Sequence, residues 1–253
     1  MTKRGRSVLF GAGALGCLAV LAVGASGLPA TGSARSATGD LLARVAEPER
    51  HAMDAVAAVT FDYRGFDTLG EEFILYASVL GVRLLLRDQR HTRKTEDERP
   101  ESRTAPAPSD AVRVMSLALV GVTVVVGLSV VAHGHQTPGG GFQGGVLLSN
   151  APLLAYLATA PEMLPRIAPG WLIEAAESVG VLAFAAIGLW GLAATGAFMQ
   201  NVLPLGRVGH LLSAGTIPIL NVATGLAVAG GLLMLVSAFL QKARQADDRG
   251  GRT

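Results

Sequence analysis

Long apolar runs separated by short polar stretches organise this 253-residue chain. A helix needs ~20 residues to cross about 30 Å of hydrocarbon. Six runs approach or exceed that length: 8–28, 69–86, 114–132, 141–160, 175–199 and 211–240. The second is the weakest, being short and carrying Glu71, Glu72 and Arg83, although Arg83 lies near one end and can snorkel. The last is too long for a simple span, since at ~1.5 Å per residue its helix would measure roughly 45 Å. Pro218 and Asn221 near its beginning predict a bent or partly unwound start.

Composition supports a membrane setting. Half of the residues are apolar, only 16% are charged, and the mean hydropathy is +0.44. The net charge of +2 gives no case for nucleic acid, because the basic residues are spread over the termini and one linker. A lone cysteine, Cys17, excludes an intrachain disulfide and a cysteine-based metal cluster. The first run, preceded by "MTKRGRS" and followed by "GASGLPATGSA", competes with a cleaved secretory signal. It is longer than the ~7–15 residues of a signal core and is read as a span.

Together these features predict an all-α polytopic membrane protein with about six transmembrane helices. If all six runs cross, only Arg35, Arg44, Arg50, Arg64 and Arg207 of the 21 Lys and Arg residues face outward. The positive-inside rule then places both termini in the cytoplasm. The stretch "RDQRHTRKTEDERPESRTAPAPSD" is rich in charge, Pro and Ser and reads as a solvated linker. It divides the chain into a two-span module (1–86), the linker (87–110), a four-span module (111–241) and a polar tail (242–253), with no sequence repeat between the modules.

Three motifs carry side-chain chemistry. In "HGHQTPGGGFQGG", Gly139, Gly141 and Gly144 have G-x-G-x-x-G spacing, but no train of βα units follows, which argues against a dinucleotide site. In a membrane such glycines let a helix start break, or let neighbouring helices approach closely. His133 and His135 lie two residues apart and would diverge on a helix, and no nearby Cys or carboxylate completes a metal site. They can instead exchange protons or form interfacial hydrogen bonds.

In "FDYRGFDTLGEEF", Thr68 and Glu71 fit a T-x-x-E capping box. Glu71 would also lie about one turn inside a span, where an acid suggests a proton or ion path. Arg64, Asp62 and Asp67 could pair with one another or with Glu71. In "SAGTIPILNVATGLAVAGG" small residues predict close helix packing, and Asn221 offers a hydrogen bond at the bend or a ligand to water or a cation.

Together, "HGHQTPGGGFQGG", "NVLPLG" and "SAGTIPILNVATGL" resemble the B-type subunit of the Mrp (Mnh or Pha) monovalent cation/proton antiporter over roughly residues 110–241. "FDYRGFDTLGEEFILYASVLGVRLLLR" is similar to the end of the large A-type subunit of such systems, or to the E-type subunit of membrane-bound hydrogenases. The resemblance implies a fusion of two modules in a non-enzymatic subunit of a large assembly related to the proton-pumping arm of respiratory complex I. It implies ion or proton transfer at the glutamate of D-T-L-G-E, a position held by Glu71. It also implies packing and coupling roles for His133, His135, Thr137, Pro138, Gly139, Gly140, Gly141, Phe142, Gln143 and Gly144, with Pro218 and Asn221 in the last span. One departure is Ala227, where relatives often carry Lys or Glu.

The expected function is therefore that of a plasma-membrane subunit of a multi-subunit Na⁺/H⁺ or K⁺/H⁺ antiporter. Glu71 would relay ions or protons, with Asp67 and Arg64 setting its proton affinity. The expected partners are large complex I-like antiporter subunits, small membrane subunits and the lipid bilayer, with no cofactor and no metal. The alternatives are an ion-inert structural subunit of a membrane-bound redox complex such as a hydrogenase, and a small autonomous transporter.

Overall fold

The computed structural model describes residues 3–28, 36–86, 108–159 and 164–250. Most of the charged linker expected at 87–110 lies outside the described residues. The described residues form α1 (Lys3–Ser26), α2 (Ala37–Arg50), α3 (Ala55–Ala58), a π-turn (Val59–Tyr63), α4 (Gly65–Leu86), α5 (Asp110–Ala132), α6 (Gly141–Ala158), α7 (Leu164–Ile167), α8 (Gly170–Thr195) and α9 (Ile217–Gly250). Among them there is no strand.

The chain divides into two compact units, residues 1–41 and 42–253. The first holds α1, with its apolar stretch Phe10–Ser26, and the start of α2. The second contains three helices long and apolar enough to cross a membrane: Asp110–Ala132, Gly170–Thr195 and Ile217–Ala243. Together with the apolar stretch of α1 they make this a multi-pass membrane protein. Of the other two runs expected to span, α4 is diluted by Glu71, Glu72 and Arg83, and α6 by its glycines, Gln143 and Asn150.

The second unit is built around α9. Its apolar segment is 61% buried, against 17% for α5, and α4, α6 and α8 all pack against it. Helices in lipid gain no hydrophobic drive from touching one another, so their contacts rest on close van der Waals approach. The sequence supplies that approach with glycine. A Cβ at Gly180 of α8 would stand 2.5 Å from the Ala223 carbonyl and the Ala227 nitrogen of α9. One at Gly144 of α6 would stand 2.3 Å from Val131 Cγ2 of α5. The buried positions of α8, namely Ile173, Glu177, Gly180, Val181, Phe184, Gly188 and Gly191, recur at helical spacing; Gly180 meets α9, while Gly188 and Gly191 receive Met199, Phe198 and Gln200 of the turn that follows.

The expected irregular start of the last span is present. Residues 211–216 form turns, with Ala214 and Gly215 at positive φ, and the helix begins only at Ile217. Pro218 then falls in the first turn, where a missing N–H costs nothing. The capping-box expectation is corrected: α4 begins at Gly65, so Thr68 is already helical. Its hydroxyl donates instead to the Thr60 carbonyl at 2.6 Å, tying α4 to the π-turn before it.

Candidate functional site

One residue organises the glycine-rich motif. Asn221 is fully buried on α9, its Oδ1 accepts from the Gly141 N–H at 2.8 Å, and its Nδ2 donates to the Ile217 carbonyl at 3.2 Å. The side chain thus satisfies one orphan donor at the start of α6 and one carbonyl in the first turn of α9. Backbone is wrapped around it so closely that a Cβ at Gly134 or Gly140 would meet Oδ1 at 2.8 or 2.7 Å. Gly140 also takes φ +135°, as Gly139 takes +144°, which L side chains rarely adopt. The motif is therefore a broken helix start closed onto α9. Thr137 and Pro138 lie exposed at its tip, Phe142 is half-buried and Gln143 is exposed.

The two histidines separate. His133 ends α5 and its Nδ1 donates to the Ser129 carbonyl at 2.9 Å. His135 is fully buried, and its Nε2 donates to the His210 carbonyl at 3.3 Å, while Nδ1 has no partner. Burial lowers its proton affinity below the ordinary histidine value, so the ring is neutral near pH 7. Around this loop lies a polar clasp. The His135 carbonyl accepts from Asp54 N–H at 3.2 Å, and His51 Nδ1 donates to the Gly206 carbonyl at 2.8 Å. Asn201 Oδ1 accepts from Thr216 N–H at 3.0 Å, while its Nδ2 donates to the Ala214 carbonyl at 3.0 Å and to Asp62 at 3.2 Å.

Of the pairings that the sequence offered before α4, Arg64 with Asp67 forms, whereas Asp62 turns to a partner outside that group. Asp62 pairs with Arg50 at 2.9 Å, and Arg64 pairs with Asp67 on the exposed surface. Arg50 also lies 4.9 Å from the centre of the Tyr63 ring, whose hydroxyl donates to Glu49 at 2.9 Å. Glu71 is exposed and has its neighbour, not itself, on the inner face of the helix. The buried positions of α4 are Gly65, Thr68, Leu69, Glu72 and Val79, so Glu72 continues the stripe at three- to four-residue spacing and Glu71 lies about 100° away.

Two carboxylates therefore face α9 from opposite neighbours. Glu72 of α4 is 1% exposed and lies beside the Thr224 hydroxyl, the polar group from α9 on its carboxylate, which makes no hydrogen bond of good distance and angle. Glu177 of α8 is 4% exposed, and its Oε1 also lacks a partner. It sits against Gly231, where a Cβ would stand 3.1 Å from that oxygen. Thr224 and Gly231 are seven residues apart on one face of α9, roughly 10 Å along its axis. An ionised carboxylate without a partner is costly in such surroundings, and buried acids inside membrane helices mark functional positions by default.

Sequence reasoning passed over Glu177, although it lies within the apolar run 175–199. The signal was its spacing from Ile173 and Gly180. Ala227, 1% exposed, stands between the two levels and is closed off by Gly180, which leaves no room there for a longer side chain. Among the described residues no cluster of His, Cys, Asp and Glu is arranged to hold a metal ion.

The described residues thus form an all-helical, multi-pass bundle in which two buried carboxylates, one on α4 and one on α8, face the central helix α9. The comparisons narrow that class. Residues 111–234 match the domain related to the MnhB subunit of Na⁺/H⁺ antiporter. The uncharacterized protein MJ1307 of Methanocaldococcus jannaschii is 30% identical over 199 residues, 70% of this chain and 73% of that protein. Among solved structures, a chain of the membrane-bound sulfane sulfur reductase, an archaeal respiratory membrane complex, superposes with a TM-score of 0.69 and 29% identity, over 95% of this chain and 99% of that one. A chain of the Mrp complex from Dietzia sp. DQ12-45-1b gives 0.68 and 26% over 94% of this chain, which spans 26% of that longer chain. The chain belongs to the MnhB-related family.

Proposed function

We propose that this chain is a membrane subunit of a multi-subunit monovalent cation/proton antiporter, exchanging Na⁺ or K⁺ for H⁺ at the plasma membrane. It crosses six times, with α4 and α6 completing the set and both termini cytoplasmic. It is not itself an enzyme, and large antiporter-like subunits provide most of the exchange machinery. The observation that carries the reading is the pair of buried, unpartnered carboxylates, Glu72 and Glu177, facing one central helix in a chain of this family. The relay role that resemblance assigns to Glu71 is proposed for Glu72, the acid on the inner face, with Glu71, Asp67 and Arg64 at its surface approach. The motif around His133 and His135 couples α5, α6 and α9 to neighbouring subunits.

The test is cation-dependent proton release in everted vesicles containing the assembled complex. Glu72→Gln is expected to lower the rate by tenfold or more, roughly the scale of removing one proton-transfer group, at unchanged levels of the co-purifying subunits. A rate equal to wild type would refute the relay assignment. A second reading rests on the near-complete overlap with a chain of the sulfane sulfur reductase complex: the same subunit serves the membrane arm of a redox assembly. Mass spectrometry of what co-purifies in mild detergent separates the two, since iron-sulfur proteins accompany the chain only in the second.

A further inference from the structure

The approach to Glu177 has its own architecture. A cavity of about 200 Å³ lies between α4, α8 and α9, lined by Tyr76, Val79, Leu80, Arg83, Glu174, Glu177, Ser178 and Met234. At its mouth Arg83 donates to Glu174 at 2.6 Å, and both side chains are about half exposed. The other arm of the Arg83 guanidinium rests on Met234 Sδ at 2.9 Å. Deeper in the cavity Glu177 presents an unpartnered oxygen and is 4% exposed. Glu174 and Glu177 are three residues apart, so they share one face of α8 with one helical turn between them. One cation thus stands before two carboxylates, paired with the outer and within electrostatic reach of the inner.

We infer that this cavity is a proton-exchange site, in which Glu177 exchanges its proton with water at the mouth and Arg83 is its exchangeable counter-ion. Arg83 pairs with Glu174 while Glu177 is protonated. When Glu177 gives up its proton, the guanidinium turns to the new carboxylate and Glu174 is left to water. An exposed ion pair is worth little, so the exchange of partners is easy. The long arginine side chain, with its stem along apolar surface, has the reach for one turn. The groups facing Glu177 are few: Glu72, Tyr76 and Arg83 from α4, and Glu174 from its own helix. The stretch of α9 from Ile217 to Gln241 has no ionisable residue. The inference rests on the relay reading and adds to it the side on which the proton is exchanged with water.

The test uses the assembled complex in everted vesicles, with the pH profile of cation-dependent proton release measured for Glu177→Gln, Glu174→Gln and Glu72→Gln. Glu177→Gln is expected to abolish release and Glu177→Asp to restore part of it. In Glu174→Gln the guanidinium has only Glu177 to pair with, so the ionised form is favoured and the half-maximal pH moves about one unit to the acid side. A merely structural ion pair would change assembly without moving the profile. Should Glu177→Gln fail to assemble, the exposed Glu174→Gln carries the test alone. A wild-type profile for Glu174→Gln, or full release from Glu177→Gln, overturns the proposal. If Glu72→Gln is also silent, the relay reading falls with it, whereas an inactive Glu72→Gln beside an active Glu177→Gln sinks only the exchange site.

Discussion

At the residue scale, a single amide and a single imidazole hold the motif end of the bundle, and both make quantitative demands. Removing the Asn221 side chain leaves the Gly141 N–H and the Ile217 carbonyl without the partners they now have. Asn221→Ala is therefore expected to cost about 1–3 kcal/mol, the penalty of orphaned buried groups, read as a lower unfolding midpoint in a detergent titration. Asn221→Leu should be no better, since it adds bulk where Gly134 and Gly140 leave none. His135 predicts a pH effect with a definite sign. Burial lowers its proton affinity in the folded state, so its contribution to stability is complete above the unfolded value near 6.5 and is lost as pH falls below it. Thermal melts between pH 7 and 5 should show a loss for the wild type that is smaller in His135→Asn.

At the scale of elements, the contacts between helices are set by where glycine permits backbone to meet backbone. Gly180 is the most exacting position for function, because it brings α8 to α9 one turn from Glu177 and against Ala227. Gly180→Val is expected to force the two helices apart and cost at least ~1–3 kcal/mol, seen as earlier thermal aggregation and as a new accessibility of a cysteine placed at Ser178. These elements were largely legible in the chain. Runs of spanning length marked α5, α8 and α9, the glycine cluster marked a broken helix start, and Pro218 with Asn221 marked the irregular beginning of α9. The inner face of α4 was not legible in the same way. D-T-L-G-E-E offers two adjacent acids, and choosing between them requires the true start of the helix, which lies at Gly65 because Thr68 bonds back to Thr60. The partner of Asp62 was also hidden, since Arg50 and Asn201 lie 12 and 139 residues away and only the folded chain brings them together.

For the whole molecule, the balance of apolar surface decides how it lives in the cell. Much of α5 presents large exposed apolar side chains, among them Val114, Met115, Val122, Val125 and Leu128, as expected of a helix bordered by lipid or by other subunits. The central helix α9 carries no charge from Ile217 to Gln241, and the buried carboxylates that face it among the described residues come from α4 and α8. Two buried carboxylates can pass a proton but cannot couple it to a second ion without further sites. The purified chain alone in proteoliposomes is expected to give no cation-dependent pH change, while the full complex does. Flux from the chain alone would favour a self-sufficient transporter.

The clasp around His135 has one more consequence. The turns at 51–54, 133–140 and 201–216 are fastened to one another by side-chain and backbone hydrogen bonds. At the opposite end of α4, an exposed ion pair and a small apolar cluster around Val79, Ile173 and Met234 join it to α8 and α9. Such a bundle is expected to open like a clothes-peg, sprung at one end and parting first at the other. Breathing of α4 against α8 would then be widest at Arg83 and least at the glycine motif, bringing water to the two acids from a single side.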